Sequence, residues 1–120
     1  MKSINPRPAT QQETAVIQQA FNFAATREVP SAVLDSLDAL SVIEECECGC
    51  RSVAFSGHPI KEEILADAVG RVRSGDTVGI IVWGNDERVS SLEIVDHQGS
   101  GELPESETVV SWEEAGRNAF

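Results

Sequence analysis

The sequence predicts an α+β domain, with N-terminal helices packed on one face of an antiparallel sheet of four to five strands. Three observations carry that expectation. An apolar stripe of helical period follows a capping-box tetrapeptide at Thr10, two strand-like runs flank Cys46-Glu47-Cys48-Gly49-Cys50, and a second pair of apolar runs fills Asp76 to Val95.

A chain of 120 residues suits a single hydrophobic core. Residues 1–9 read as an extended tail and 10–120 as one domain. With 41% hydrophobic and 24% charged residues, the composition is that of a folded protein. Nine Lys and Arg stand against 20 Asp and Glu, a net charge of −11. Such a balance repels phosphate backbones and anionic membranes, so the expected partner is a basic protein rather than nucleic acid or a bilayer. Met1-Lys2 leads into polar, proline-bearing sequence instead of an apolar leader. The longest apolar run, Val78 to Trp83, is far short of a spanning helix. A cytoplasmic location is the expectation, and there an odd count of three cysteines argues against a disulfide framework.

Each element can be justified in turn. Pro6 and Pro8 forbid a helix in the first nine residues. Thr10-Gln11-Gln12-Glu13 has capping-box form, and Val16, Ile17, Ala20, Phe21, Phe23 and Ala24 make one broad apolar stripe behind it. A helix is therefore expected from Gln11 to Thr26. Pro30 to Leu37 suits a short second helix with proline in its first turn.

Leu40 to Cys46 and Cys50 to Ser56 read as a hairpin with a three-residue loop, in which Gly49 supplies the left-handed residue. That register sets Ile43 opposite Val53, Glu45 opposite Arg51 and Cys46 opposite Cys50. Ser56 to Pro59 is a turn. Residues 60–72 are ambiguous, because Ile60, Ile64, Leu65, Ala68, Val69 and Val72 follow a helical period while Gly70 and Gly75 bracket the end. Asp76 to Trp83 and Arg88 to Val95 form a second hairpin. With Asp86-Glu87 at the turn centre, Ile81 falls opposite Leu92 and Gly79 opposite Ile94. Gln98 to Glu102 is a loop by composition, and Ser111-Trp112-Glu113-Glu114 starts a short C-terminal helix ending near Gly116.

Leu40, Val42, the Cys46-Glu47-Cys48-Gly49-Cys50-Arg51-Ser52-Val53 run, Val78-Gly79-Ile80-Ile81, Leu92-Glu93-Ile94 and Leu103-Pro104 together resemble a family of small bacterial proteins with a C-x-C-G-C hairpin and no assigned activity. The resemblance covers roughly the last two-thirds of the chain. It implies an antiparallel sheet with Ile64 to Val72 as a strand, which decides the ambiguous segment. The family often carries Asp-Gly in the turn before the last strand, where this chain has Asp86-Glu87.

The cysteine run is where reactive side chains concentrate. Cys46, Cys48 and Cys50, with His58 as a further nitrogen, are the candidate metal ligands for zinc or Cu(I); His97 is a second available nitrogen. A bridge between Cys46 and Cys50 is the redox alternative, and three structural thiols are the plain reading. Glu44, Glu45 and Glu47 crowd the run and make a thiolate scarcer, the reverse of what a nucleophile requires. No catalytic or cofactor-binding residue is assigned. The leading expectation is an acidic binding protein without catalytic activity and without a cofactor. The alternative is a metal- or redox-responsive module built on the three cysteines.

Overall fold

The computed structural model describes residues 1–58 and 60–117. It consists of one antiparallel sheet of seven strands: β1 (Lys2–Pro8), β2 (Ser41–Glu45), β3 (Val53–Phe55), β4 (Glu63–Arg71), β5 (Thr77–Gly84), β6 (Val89–Val95) and β7 (Val110–Ser111). The helices are α1 (Gln11–Ala24), α2 (Ser31–Asp35) and α3 (Trp112–Arg117). Strand order is β1-β2-β3-β6-β5-β4-β7. The α+β class stands; the sheet is larger than the four to five strands expected, because both edges gain a strand.

One edge is β1. The two prolines that exclude a helix are compatible with an edge strand, whose outer backbone groups face away from the ladder. Lys2 to Pro8 pairs with β2, with a register irregularity between Ser3 and Arg7. The segment read as a tail is thus extended and joined to the sheet. The other edge, β7, pairs with β4 through Val110 and Ser111. It is too short to announce itself by alternation.

Helix α1 begins at the capping box the sequence gives. The Thr10 hydroxyl accepts from the Glu13 amide at 3.0 Å, and the Glu13 carboxylate accepts from the Thr10 amide at 2.8 Å. Val16, Ile17 and Ala20 are fully buried and Phe21 nearly so, in a core shared with Leu65, Ile80, Val82 and Leu92. After Ala24 the chain leaves the helix in extended conformation, and Ala25 bridges to Ala66 in β4. This ends α1 two residues before the expected Thr26. The second helix is α2 with a 3₁₀ turn over Ser36–Ala39, and it buries Val33 and Leu37.

Both hairpin registers differ from expectation. Glu45, not Ile43, stands opposite Val53, while Val42 pairs with Phe55 and Glu44 with Ala54. Ile43 is taken up in an irregularity, so that Val42, Val53, Phe55 and Leu92 share the core. In the second hairpin the turn lies where expected, with the Asn85 amide donating to the Arg88 carbonyl at 3.0 Å. The ladder then shifts between Trp83 and Gly84, so Val82 faces Leu92 and Ile80 faces Ile94. A one-residue bulge exchanges the faces of every side chain beyond it. Gly84 allows this turn of the chain, since a Cβ there would lie 2.3 Å from the Arg88 carbonyl oxygen.

Segment 63–71 is a strand, as the resemblance implies. Its helical period arises because Leu65, Ala66, Ala68, Val69 and Gly70 are all buried. One face meets α1; on the other, Trp112 crosses near Gly79, opposite Val69, and donates its indole N–H to Asp67 at 3.0 Å. Pro59, the last residue of the expected turn, lies outside the described residues.

Candidate functional site

The cysteine run lies at one end of the β2–β3 hairpin. The Cys46 amide donates to the Ser52 carbonyl at 3.1 Å, which closes the ladder and leaves residues 47–51 as the loop. It is longer than the three residues expected. Gly49 takes the left-handed conformation, with φ +93°. The tight path brings the Sγ atoms of Cys46, Cys48 and Cys50 within 4.8 Å of one another.

The expected opposition of Cys46 and Cys50 is replaced by a different pairing. Cys46 and Cys48 are joined as a disulfide with Cα atoms 5.5 Å apart, and Cys50 is free. In the observed register Ser52 occupies the place opposite Cys46 that the shorter loop would have given Cys50. Cys48 is exposed, and Cys46 and Cys50 are half-buried.

Backbone and side-chain groups converge on the sulfurs. The Cys48 amide donates to Cys46 Sγ, and the Cys50 amide to Cys48 Sγ, each at 3.4 Å. The Cys50 thiol donates to Ser52 Oγ at 3.3 Å. Ser52 in turn is buried, accepting from the Ile94 amide at 2.8 Å. A loop residue is thereby tied through Ser52 to the central sheet, a support the sequence reading did not assign.

A second loop supports the first. The Asp96 carboxylate accepts from the Ser100 amide at 3.1 Å, the Ser100 hydroxyl at 3.0 Å and the Gly101 amide at 2.9 Å. Burial pushes the Asp96 carboxyl up, but the hydrogen bonds from Gly101 and Ser100 outweigh it and hold it below the ordinary range. The folded loop places Gly101 against the Gly49 carbonyl. The Gly/Ser composition marks a loop at Gln98 to Glu102 but gives no signal of this placement.

His58 is exposed and follows β3 at the opposite end from the cysteine loop, beyond Phe55. It does not join the sulfur cluster, nor does exposed His97. Among the described residues, the three cysteines are the group spaced to hold a metal ion.

The acidic neighbours are differently placed. Glu45 is bound by Arg7 at 3.2 Å, while Glu47 is exposed beside Cys48. Lys2, Glu45, Cys46 and Glu47 line an open groove along the loop. No protein-family model, curated protein or solved structure matches the chain. Among the described residues, no helix is long and apolar enough to cross a membrane.

Proposed function

We propose that this protein is a small thiolate metal-binding module in which reduced Cys46, Cys48 and Cys50 hold one soft metal ion, zinc or Cu(I). The observation that carries the reading is the convergence of the three sulfurs within 4.8 Å. Sulfurs sharing a zinc ion at about 2.3 Å each stand about 3.8 Å apart in a tetrahedral site, so reduction of the Cys46–Cys48 bond and a local adjustment of the loop bring the three to binding distance. Backbone amides of Cys48 and Cys50 already face the sulfurs of Cys46 and Cys48, the kind of outer hydrogen bond that orients a metal ligand. Glu47 adds negative charge that discourages a nucleophile but attracts a cation. Three soft donors suit trigonal Cu(I), or zinc with its fourth position taken by water.

The test is metal analysis and competition titration of freshly reduced protein with zinc and Cu(I). One equivalent bound, and lost on Cys48→Ser, supports the reading. Three titratable thiols with neither ion retained would overturn it.

A second reading, a binding protein for a basic partner, draws on the net charge of −11 and on the sheet face away from α1. There Ile81, Trp83 and Val95 are half-buried and Trp112 is exposed, beside the carboxylates of Asp67 and Glu93. That reading requires salt-sensitive binding of a purified basic protein, abolished by Trp112→Ala. Binding insensitive to both salt and the substitution would remove it.

A further inference from the structure

We propose that the cysteine loop is an oxidation-gated metal site, in which formation of the Cys46–Cys48 disulfide withdraws two of three sulfur ligands and releases the ion. The inference rests on the metal-binding reading above and names its regulation. The three sulfurs that can share an ion are the same atoms of which two are joined as a disulfide, with the third left as a thiol. Thiolate, not disulfide sulfur, is the metal ligand, so the two states exclude each other. Oxidation leaves Cys50 as the single thiol of the cluster, too few for a zinc or Cu(I) site.

The positions of the sulfurs order the steps. Cys48 is the exposed member and meets a small-molecule disulfide such as oxidised glutathione first. Its thiolate attacks one glutathione sulfur, breaking that disulfide and expelling one glutathione thiolate. The Cys46 thiolate then attacks Cys48 Sγ, expels the second glutathione thiolate and forms the Cys46–Cys48 bond. Two protein thiolates lose two electrons, and one glutathione disulfide gains them. Its two thiolate products take protons from solvent, and the metal ion leaves. Cys50 is spared because its sulfur is turned to Ser52, which is fixed on the Ile94 amide. Excess reduced glutathione reverses the exchange and restores the site.

The experiment uses the full chain, reduced, loaded with zinc and freed of excess metal. Oxidised glutathione is added while a chromogenic chelator reports zinc, and samples are alkylated with iodoacetamide, reduced, alkylated again with N-ethylmaleimide and sequenced by mass spectrometry. The proposal expects two thiols lost for each zinc released, with iodoacetamide on Cys50 and N-ethylmaleimide on Cys46 and Cys48. Zinc retained after thiol loss, a persistent glutathione adduct, or the free thiol on Cys46 or Cys48 would each overturn the gate while leaving metal binding intact. Reduced protein that takes up neither zinc nor Cu(I) overturns the metal-binding reading and the gate together. Alkylation of metal-free protein then reports the cysteine pairing alone.

Discussion

Arg7 lies across Glu13 with two parallel hydrogen bonds, 2.9 Å from one guanidinium nitrogen and 3.1 Å from the other. The carboxylate is fully buried, and the Arg7 side chain is 30% exposed. One pair therefore fastens edge strand β1 to the first turn of α1, and Arg7 extends to Glu45 beside the cysteine loop. The hydrogen bond to Glu13 holds the Arg7 guanidinium well above its ordinary value, against a smaller opposing effect of burial. Removing Arg7 leaves the buried Glu13 carboxylate without its cation, whereas removing Glu13 leaves Arg7 partly exposed and still paired with Glu45. Arg7→Met is expected to cost about 3 kcal/mol in urea unfolding, the usual scale for leaving a buried charge unpaired, and Glu13→Gln less. A loss below about 0.5 kcal/mol would place the pair among weak surface contacts instead.

The same carboxylate gives stability a pH dependence. Burial pushes Glu13 up, but hydrogen bonds from Arg7 and Thr10 outweigh it, so its folded value is below the ordinary one. Asp96 is shifted in the same direction. A depressed carboxyl contributes stability that is complete above its unfolded pKa, about 4, and is lost as pH falls through the folded value. Thermal melts should hold steady from about pH 7 to 5 and fall progressively below about pH 4, with a shallower fall in Glu13→Gln. A melting temperature unchanged down to about pH 2 would contradict the assignment.

How far the fold could be read in advance depended on whether a signal was local. The capping box at Thr10 and the stripe behind it need only neighbours in sequence, and α1 starts where they put it. The turn at Asp86-Glu87 was equally local, yet its register was lost to a bulge that depends on which side chains meet in the core. Segment 63–71 could not reveal a strand by alternation, because α1 and Trp112 bury both faces. Edge strand β1 is held by a partner some forty residues away. At the site, spacing put Cys46 beside Cys50 with Cys48 at the tip, but the register, which core residues far along the chain decide, set Ser52 opposite Cys46 instead, and the disulfide joins Cys46 to Cys48.

The bulge in β5–β6 makes Gly84 sensitive to any side chain. A Cβ there would meet the Arg88 carbonyl oxygen at 2.3 Å and Leu65 at 2.9 Å. Gly84→Ala is expected to lose about 2 kcal/mol or more, and Gly116→Ala, where a Cβ meets open space, much less. Equal midpoints for the two variants in chemical denaturation would refute the packing argument.

Within the bulge, Ser90, the residue of β6 left unpaired between Val89 and Ser91, buries its hydroxyl with no hydrogen-bond partner among the described residues. An unsatisfied buried hydroxyl costs desolvation without return. Ser90→Ala should therefore leave stability unchanged or raise it by up to about 1 kcal/mol. A clear loss in the same unfolding assay would mean that the hydroxyl is satisfied in solution.

Ser52 separates support of the metal site from support of the fold. Its hydroxyl accepts from the Ile94 amide and from the Cys50 thiol, so it both fills a place in the sheet and orients a ligand. In the reduced, metal-bound loop the hydroxyl can instead donate to the Cys50 thiolate, as outer groups around a metal commonly do. Ser52→Ala is expected to weaken zinc binding about tenfold, the lower end of such effects. Ser52→Thr, which keeps the hydroxyl, should recover most of the affinity. A purely structural role predicts the opposite division: lower melting temperature in Ser52→Ala with zinc affinity unchanged. Competition titration and thermal melts on the same preparations distinguish the two, because affinity follows the hydroxyl at the sulfur while melting follows the Ile94 amide.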